Sequence, residues 1–161
     1  MAIVTPTVTA FSMEEYNQQL RCITDFADRV HLDLMDGVFA PTTSPALSDI
    51  WLPHNNVRVD LHIMYQKPME QLANIIRLKP RLVIIQAEAD VHHMHFASEL
   101  HKEDISVGLA ILQHTPVANI QQIMHSFDHI LVFSGKLGFH GGETDLSLLS
   151  KVMDIRTEYP E

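Results

Sequence analysis

Val30-His31-Leu32-Asp33-Leu34-Met35 and Val57-Arg58-Val59-Asp60-Leu61-His62-Ile63-Met64 are the two stretches on which the reading of the fold turns. Each is a short apolar run interrupted at every second position by a polar side chain. Successive side chains on a strand point to opposite faces. His31 with Asp33, and Asp60 with His62, therefore share a face on two separate strands. Four further runs of similar character, Ile3 to Val8, Leu82 to Ile85, Val107 to Ile111 and Ile130 to Phe133, start roughly 25 residues apart, a spacing that suits a strand, a turn and a crossover helix. Near-continuous apolar strands alternating with amphipathic segments are the pattern of a parallel sheet covered by helices.

The intervening segments carry helix signals. Ser12 and Glu15 form a capping box ahead of Tyr16, Leu20, Ile23 and Phe26. Pro68 suits a first helical position before Met69, Leu72, Ile75 and Ile76. Thr115-Pro116 is expected to start a helix through Val117, Ile120 and Met124, and Asp145 to cap a last one through Leu148, Leu149, Val152 and Ile155. Gly37 to Asn56, with Pro41, Pro45 and Pro53, reads as a long loop in which Trp51 is a packing anchor. An open doubly wound sheet and a (β/α)8 barrel both fit six such units.

The 161 residues suit a single domain, and 46% apolar with 19% charged residues is an ordinary globular composition. Eleven Lys and Arg against 20 Asp and Glu leave a formal charge of -9, which repels a phosphate backbone and argues against nucleic acid. No apolar run is long enough to span a bilayer, and Met1 to Val8 lacks the pattern of a signal peptide. A cytoplasmic protein is expected, with no membrane partner. Cys22, the single cysteine, reads as a small buried hydrophobe.

Strand ends in parallel α/β proteins are where ligands bind. Two imidazoles and a carboxylate from adjacent strands can meet one Zn, Mn or Fe(II) ion; the plainer alternative is a hydrogen-bonded core network without metal. His92, His93 and His95 form a second histidine group that reads as solvated surface.

His31-Leu32-Asp33-Leu34-Met35-Asp36-Gly37-Val38-Phe39 resembles the second-strand signature of the ribulose-phosphate 3-epimerase family, and Asp60-Leu61-His62-Ile63-Met64 followed by Pro68 is similar to its third. Gly108-Leu109-Ala110-Ile111 with Thr115-Pro116, and Gly138-Phe139-His140-Gly141-Gly142, look like the fifth strand and the glycine-rich loop after the sixth. Thr5-Pro6-Thr7 stands where the family has a Pro-Ser pair. The resemblance implies a TIM-type (β/α)8 barrel of which residues 1–161 form a single incomplete domain of about six βα units. It implies a metal-dependent isomerase that interconverts ribulose 5-phosphate and xylulose 5-phosphate. His31, Asp33 and His62 would be metal ligands, and Asp33 also the proton acceptor. Thr7, Met35, His62, Gly138, Phe139, His140 and Gly141 would contact a small sugar phosphate. The chemistry suits these residue types, because a metal across the ketone and hydroxyl oxygens stabilises the enediolate left by proton removal.

In that family the second acid and a fourth protein ligand come from an Asp-Gly-Gly motif on the seventh strand, and no Asp-Gly-Gly occurs here. A fragment of a longer enzyme and a shortened relative both fit. Gln86 replaces a family histidine, Thr42 an asparagine, Leu112-Gln113 an Asn-Pro pair and Gly135-Lys136-Leu137 a Val-x-Pro stretch. A hexulose-phosphate 3-epimerase and a catalytically incomplete sugar-phosphate or metal-binding module therefore stay open, and exposed sheet edges leave room for a homo-oligomer.

Overall fold

The structure is a computed structural model that describes residues 3–53, 57–141, 143 and 145–159; Gly142 of the glycine-rich loop and Asn56 lie outside them. Six strands, β1 (Thr7–Thr9), β2 (Arg29–Met35), β3 (Arg58–Met64), β4 (Leu82–Gln86), β5 (Ser106–Ile111) and β6 (His129–Val132), form one sheet in sequential order, with every pair parallel. This order decides between the two architectures. Right-handed crossovers that always step the same way place every helix on one face, whereas a doubly wound sheet reverses direction. The chain is a singly wound, barrel-type α/β fold. Among the described residues β1 and β6 are not paired with each other, so the sheet is open.

The helices are α1 (Met13–Thr24), α2 (Leu72–Leu78), α3 (His93–His101) and α4 (Leu149–Glu158). They cover the outer strand face, where Val30, Leu32, Leu34, Leu61, Ile63, Val83, Ile85, Val107 and Leu109 pack with Leu20, Ile75, Phe96 and Leu100 in one core. The inner face holds two smaller apolar clusters, Met35–Ala40–Met64 and Leu82–Ile84–Ala110. Helix starts follow the expected chemistry. The Ser12 hydroxyl accepts from Glu15 N at 3.2 Å, and Glu15 returns a bond to Phe11 N at 2.8 Å, one residue before its usual target. Pro68 opens a 3₁₀ turn that leads into α2, and Asp145 accepts from Ser147 N ahead of α4. Trp51 packs edge-on against Tyr16, and its Nε1–H donates to Asn17.

Three expectations need correction. β1 begins at Thr7 rather than Ile3, because Pro6 has no N–H to extend the ladder and Ile3 and Val4 stand exposed. Val117–Asn119 and Met124–Ser126 are two 3₁₀ turns rather than a helix. The β-branched Val117, Ile120 and Ile123 favour a helix weakly, yet Ile120 and Met124, one turn apart, are still buried. Cys22 is exposed, because α1 buries Tyr16 and Leu20 and Cys22 lies off that stripe.

Candidate metal centre

The register of the first three strands builds the site. Thr9 pairs with Asp33, and Asp33 with His62, so three polar side chains stand side by side on the inner face. Two residues matter on β2, since His31 sits one inward position before Asp33. Asp33 Oδ1 lies 3.2 Å from His31 Nε2 and 3.0 Å from His62 Nδ1, while Oδ2 accepts from the Thr9 hydroxyl at 2.9 Å. One ligand atom from each of His31, Asp33 and His62 lies within 4.8 Å of the others, the one such group among the described residues. His62 is fully buried and its Nε2 lies 2.9 Å from the Gln86 side-chain nitrogen.

Burial alone would push the Asp33 carboxyl up, but hydrogen bonds and charge from His31 and His62 together hold it well below the usual carboxylate range. Burial is also the main influence on His62, lowering its pKa so that the ring is neutral at pH 7 despite the nearby carboxylate. Two imidazoles and a carboxylate are the donor set that Zn, Mn and Fe(II) accept. Gln86 Oε1 is buried with no hydrogen-bond partner, a loose end beside the cluster.

A cavity of about 440 Å³ opens onto Asp33 and is lined by Thr7, Thr9, Gln19, Phe133, Gly135, Phe139, His140 and Gly141. Five residues singled out from the sequence, Thr7, Asp33, Phe139, His140 and Gly141, thus meet in one place. Gly138 does not line it. Its carbonyl accepts from the Thr42 hydroxyl at 2.5 Å, and its φ of +82° with Thr42 and Pro41 packed against the Cα leaves no room for a Cβ. Met35 lies with Met64, Phe39 and Leu137 in the inner apolar cluster.

Asp60 departs from the expected cluster. It is buried two residues nearer the start of β3, where Arg29 (2.5 Å) and Arg81 (3.0 Å) enclose it. Asp36 is also structural: it accepts from Val38 N, Phe39 N and Gln66 N and ties the loops after β2 and β3 together. His92 caps α3 by accepting from His95 N, as a surface group would. Sequence reasoning missed Thr9 and Gln19 and gave Gln86 no role. For Thr9 the signal was present, because it stands at i+2 from Thr7 and shares its face.

The fold and this cluster define a barrel-type α/β protein with a His–Asp–His cluster on the inner face of two adjacent strands. The particular group follows from comparison: the model of the "Ribulose-phosphate 3 epimerase family" matches residues 3–161, and the chain belongs to that family. It is 29% identical over 133 residues to a ribulose-phosphate 3-epimerase of Bacillus subtilis, covering 81% of this chain and 61% of that protein. The chloroplastic ribulose-5-phosphate-3-epimerase of Arabidopsis thaliana is 24% identical, with 96% and 57% covered. That of Encephalitozoon cuniculi is 31% identical, with 79% and 59% covered. The chain spans about three fifths of the length of these relatives. No helix among the described residues is long and apolar enough to cross a membrane.

Proposed function

We propose that this chain carries the ion-holding and proton-accepting part of an epimerase site for a ketose phosphate, ribulose 5-phosphate and xylulose 5-phosphate being the pair. The observation that carries this reading is the convergence of His31 and His62 on Asp33, which itself lines a cavity rimmed by Thr7, Phe139, His140 and Gly141. His31, Asp33 and His62 would hold Zn, Mn or Fe(II). Bound there, such an ion supplies positive charge to the substrate oxygens on which negative charge develops.

The residues of the chain do the rest. Asp33 faces the cavity ionised, so it can take a proton from the carbon next to the ketone. The same imidazoles that keep it ionised make it a weak base, so rate must come from stabilising the enediolate rather than from the strength of Asp33. Thr9 holds Oδ2 and fixes the carboxylate plane. Phe139, half-exposed with Lys136 4.5 Å above its ring, borders the mouth where the substrate enters. We place this work in the cytoplasm and within one barrel domain, with a small sugar phosphate as partner.

Inversion needs groups on both faces of the carbon. Among the described residues Asp33 is the one carboxylate lining the cavity. The chain is therefore expected to exchange the carbon-bound proton of ribulose 5-phosphate with deuterated water, in the presence of Zn, Mn or Fe(II), faster than it forms xylulose 5-phosphate. Mass spectrometry of the recovered sugar reads both. No exchange above the metal-only control, or equal exchange by Asp33→Asn, would overturn the reading. A hexulose phosphate assayed alongside separates the two sugar sizes.

A further inference from the structure

The hydrogen bonds around His62 fix a tautomer, and it is the wrong one for holding an ion. The Gln86 side-chain nitrogen can only donate, so at 2.9 Å from His62 Nε2 it makes that ring nitrogen an acceptor. His62 Nδ1 then carries the ring proton and donates it to Asp33 Oδ1 at 3.0 Å. A ligating imidazole needs the reverse: a lone pair on Nδ1 toward the ion and N–H on Nε2 toward an acceptor.

Among the described residues, the side chain that meets His62 Nε2 is that of Gln86. Gln86 is fully buried, its Oε1 has no partner, and a half-turn of the amide about its last torsion exchanges oxygen and nitrogen without changing the shape of the side chain. Its backbone is pinned, because the Gln86 carbonyl accepts from Ala89 N at 3.2 Å and lies 3.1 Å from His93 Nε2. The amide can therefore turn over in place while the strand stays fixed.

Resting on the metal-centre reading above, we propose that Gln86 is a positioning residue: its carboxamide turns its oxygen to His62 Nε2–H when an ion is taken up, and so sets the nitrogen that faces the ion. The unpartnered oxygen beside a fully buried ligand is then the second half of a two-position switch. Gln86 is not among the residues that line the cavity. It acts through His62.

The test is zinc binding by the 161-residue chain, read by competition with a chromophoric chelator, together with ¹⁵N chemical shifts of the His62 ring. Zinc addition is expected to move the proton of His62 from Nδ1 to Nε2 in the unsubstituted chain. Gln86→Leu, which keeps the volume and removes both polar atoms, is expected to weaken zinc roughly 10- to 100-fold. Gln86→Glu, which can only accept, is expected to bind zinc at least as well as the unsubstituted chain. Circular dichroism establishes that each variant is folded; if Gln86→Leu is not, the ring shifts of the unsubstituted chain decide alone. Zinc binding by Gln86→Leu within twofold of the unsubstituted chain, or a zinc-loaded His62 still protonated at Nδ1, overturns this inference and leaves the metal centre standing. A chain that takes up no zinc overturns both.

Discussion

Two carboxylates on the inner face of the sheet, Asp33 and Asp60, each sit between two nitrogen-bearing side chains, yet they are built for opposite purposes. Asp60, at the start of β3, is clasped by Arg29 and Arg81. Guanidinium groups have donors and no lone pair, so that cluster is complete in itself and closed to a metal. Asp33, one inward position further along the strands, is flanked by His31 on its own strand and His62 on the next. Imidazole can exchange its N–H for a lone pair, so that cluster can reopen toward an ion. The inner face thus keeps a fixed ion triad beside a convertible one, one inward position apart.

Three substitution experiments would break or sharpen this contrast. The largest effect is expected at Asp60. Asp60→Ala leaves two arginines without their buried partner and should destabilise the chain by roughly 3–5 kcal/mol in urea unfolding, with zinc affinity within about threefold because the Asp60 carboxylate bonds to Arg29 and Arg81 and not to the three candidate ligands. A parallel loss of zinc binding would show that the two triads are one unit. Next comes Asp33→Asn, expected to weaken zinc by about 100-fold, or about 2.7 kcal/mol, and also to lower the urea midpoint, because the carboxylate held low by His31 and His62 stabilises the fold. A large fall in stability without a fall in affinity would make the Asp33 cluster a second structural clasp.

The smallest effect is on the pH dependence of stability. Burial lowers the pKa of His62, so below about pH 6.5 the unfolded chain binds a proton that the fold resists, and stability falls as pH falls. The slope should not exceed about 1.4 kcal/mol per pH unit, and His62→Gln should flatten it. Asp33, held low, acts in the same direction at more acid pH: its contribution is present above about pH 4 and is lost below. The arginine triad contributes no imidazole to this window. An unchanged slope in His62→Gln would mean that other histidines carry the effect.

Periodicity made the strands readable, because alternation in β2 and β3 is imposed by burial of one face and by chemistry on the other. The helices were readable where a cap announced them, as at Ser12 and Asp145. The Val117 to Ser126 segment was not, since its buried spacing is helical while its hydrogen bonds are tighter than those of an α-helix. In the site, His31, Asp33 and His62 stood out by spacing on two strands. Asp60 looked identical to them, and only the approach of Arg29 and Arg81 from neighbouring strand starts separates it. Gln86 and Gln19 escaped for a related reason: their roles depend on which atom faces which across the sheet or from α1, and no local pattern records that. The choice between a barrel-type and a doubly wound sheet likewise depended on strand order, which unit spacing leaves open.

The Thr42–Gly138 hydrogen bond joins positions 96 apart in sequence. Closing so long a loop directly is entropically unfavourable, and four strand pairings must bring its ends together first. The rim of the mouth is then expected to lock last during refolding, which pulse-labelled proteolysis at the two loops would time against the strands. A nascent or partly folded molecule would carry the ion ligands before it possessed a place for sugar, so metal could be captured ahead of competence and serve as a folding template rather than as a late addition.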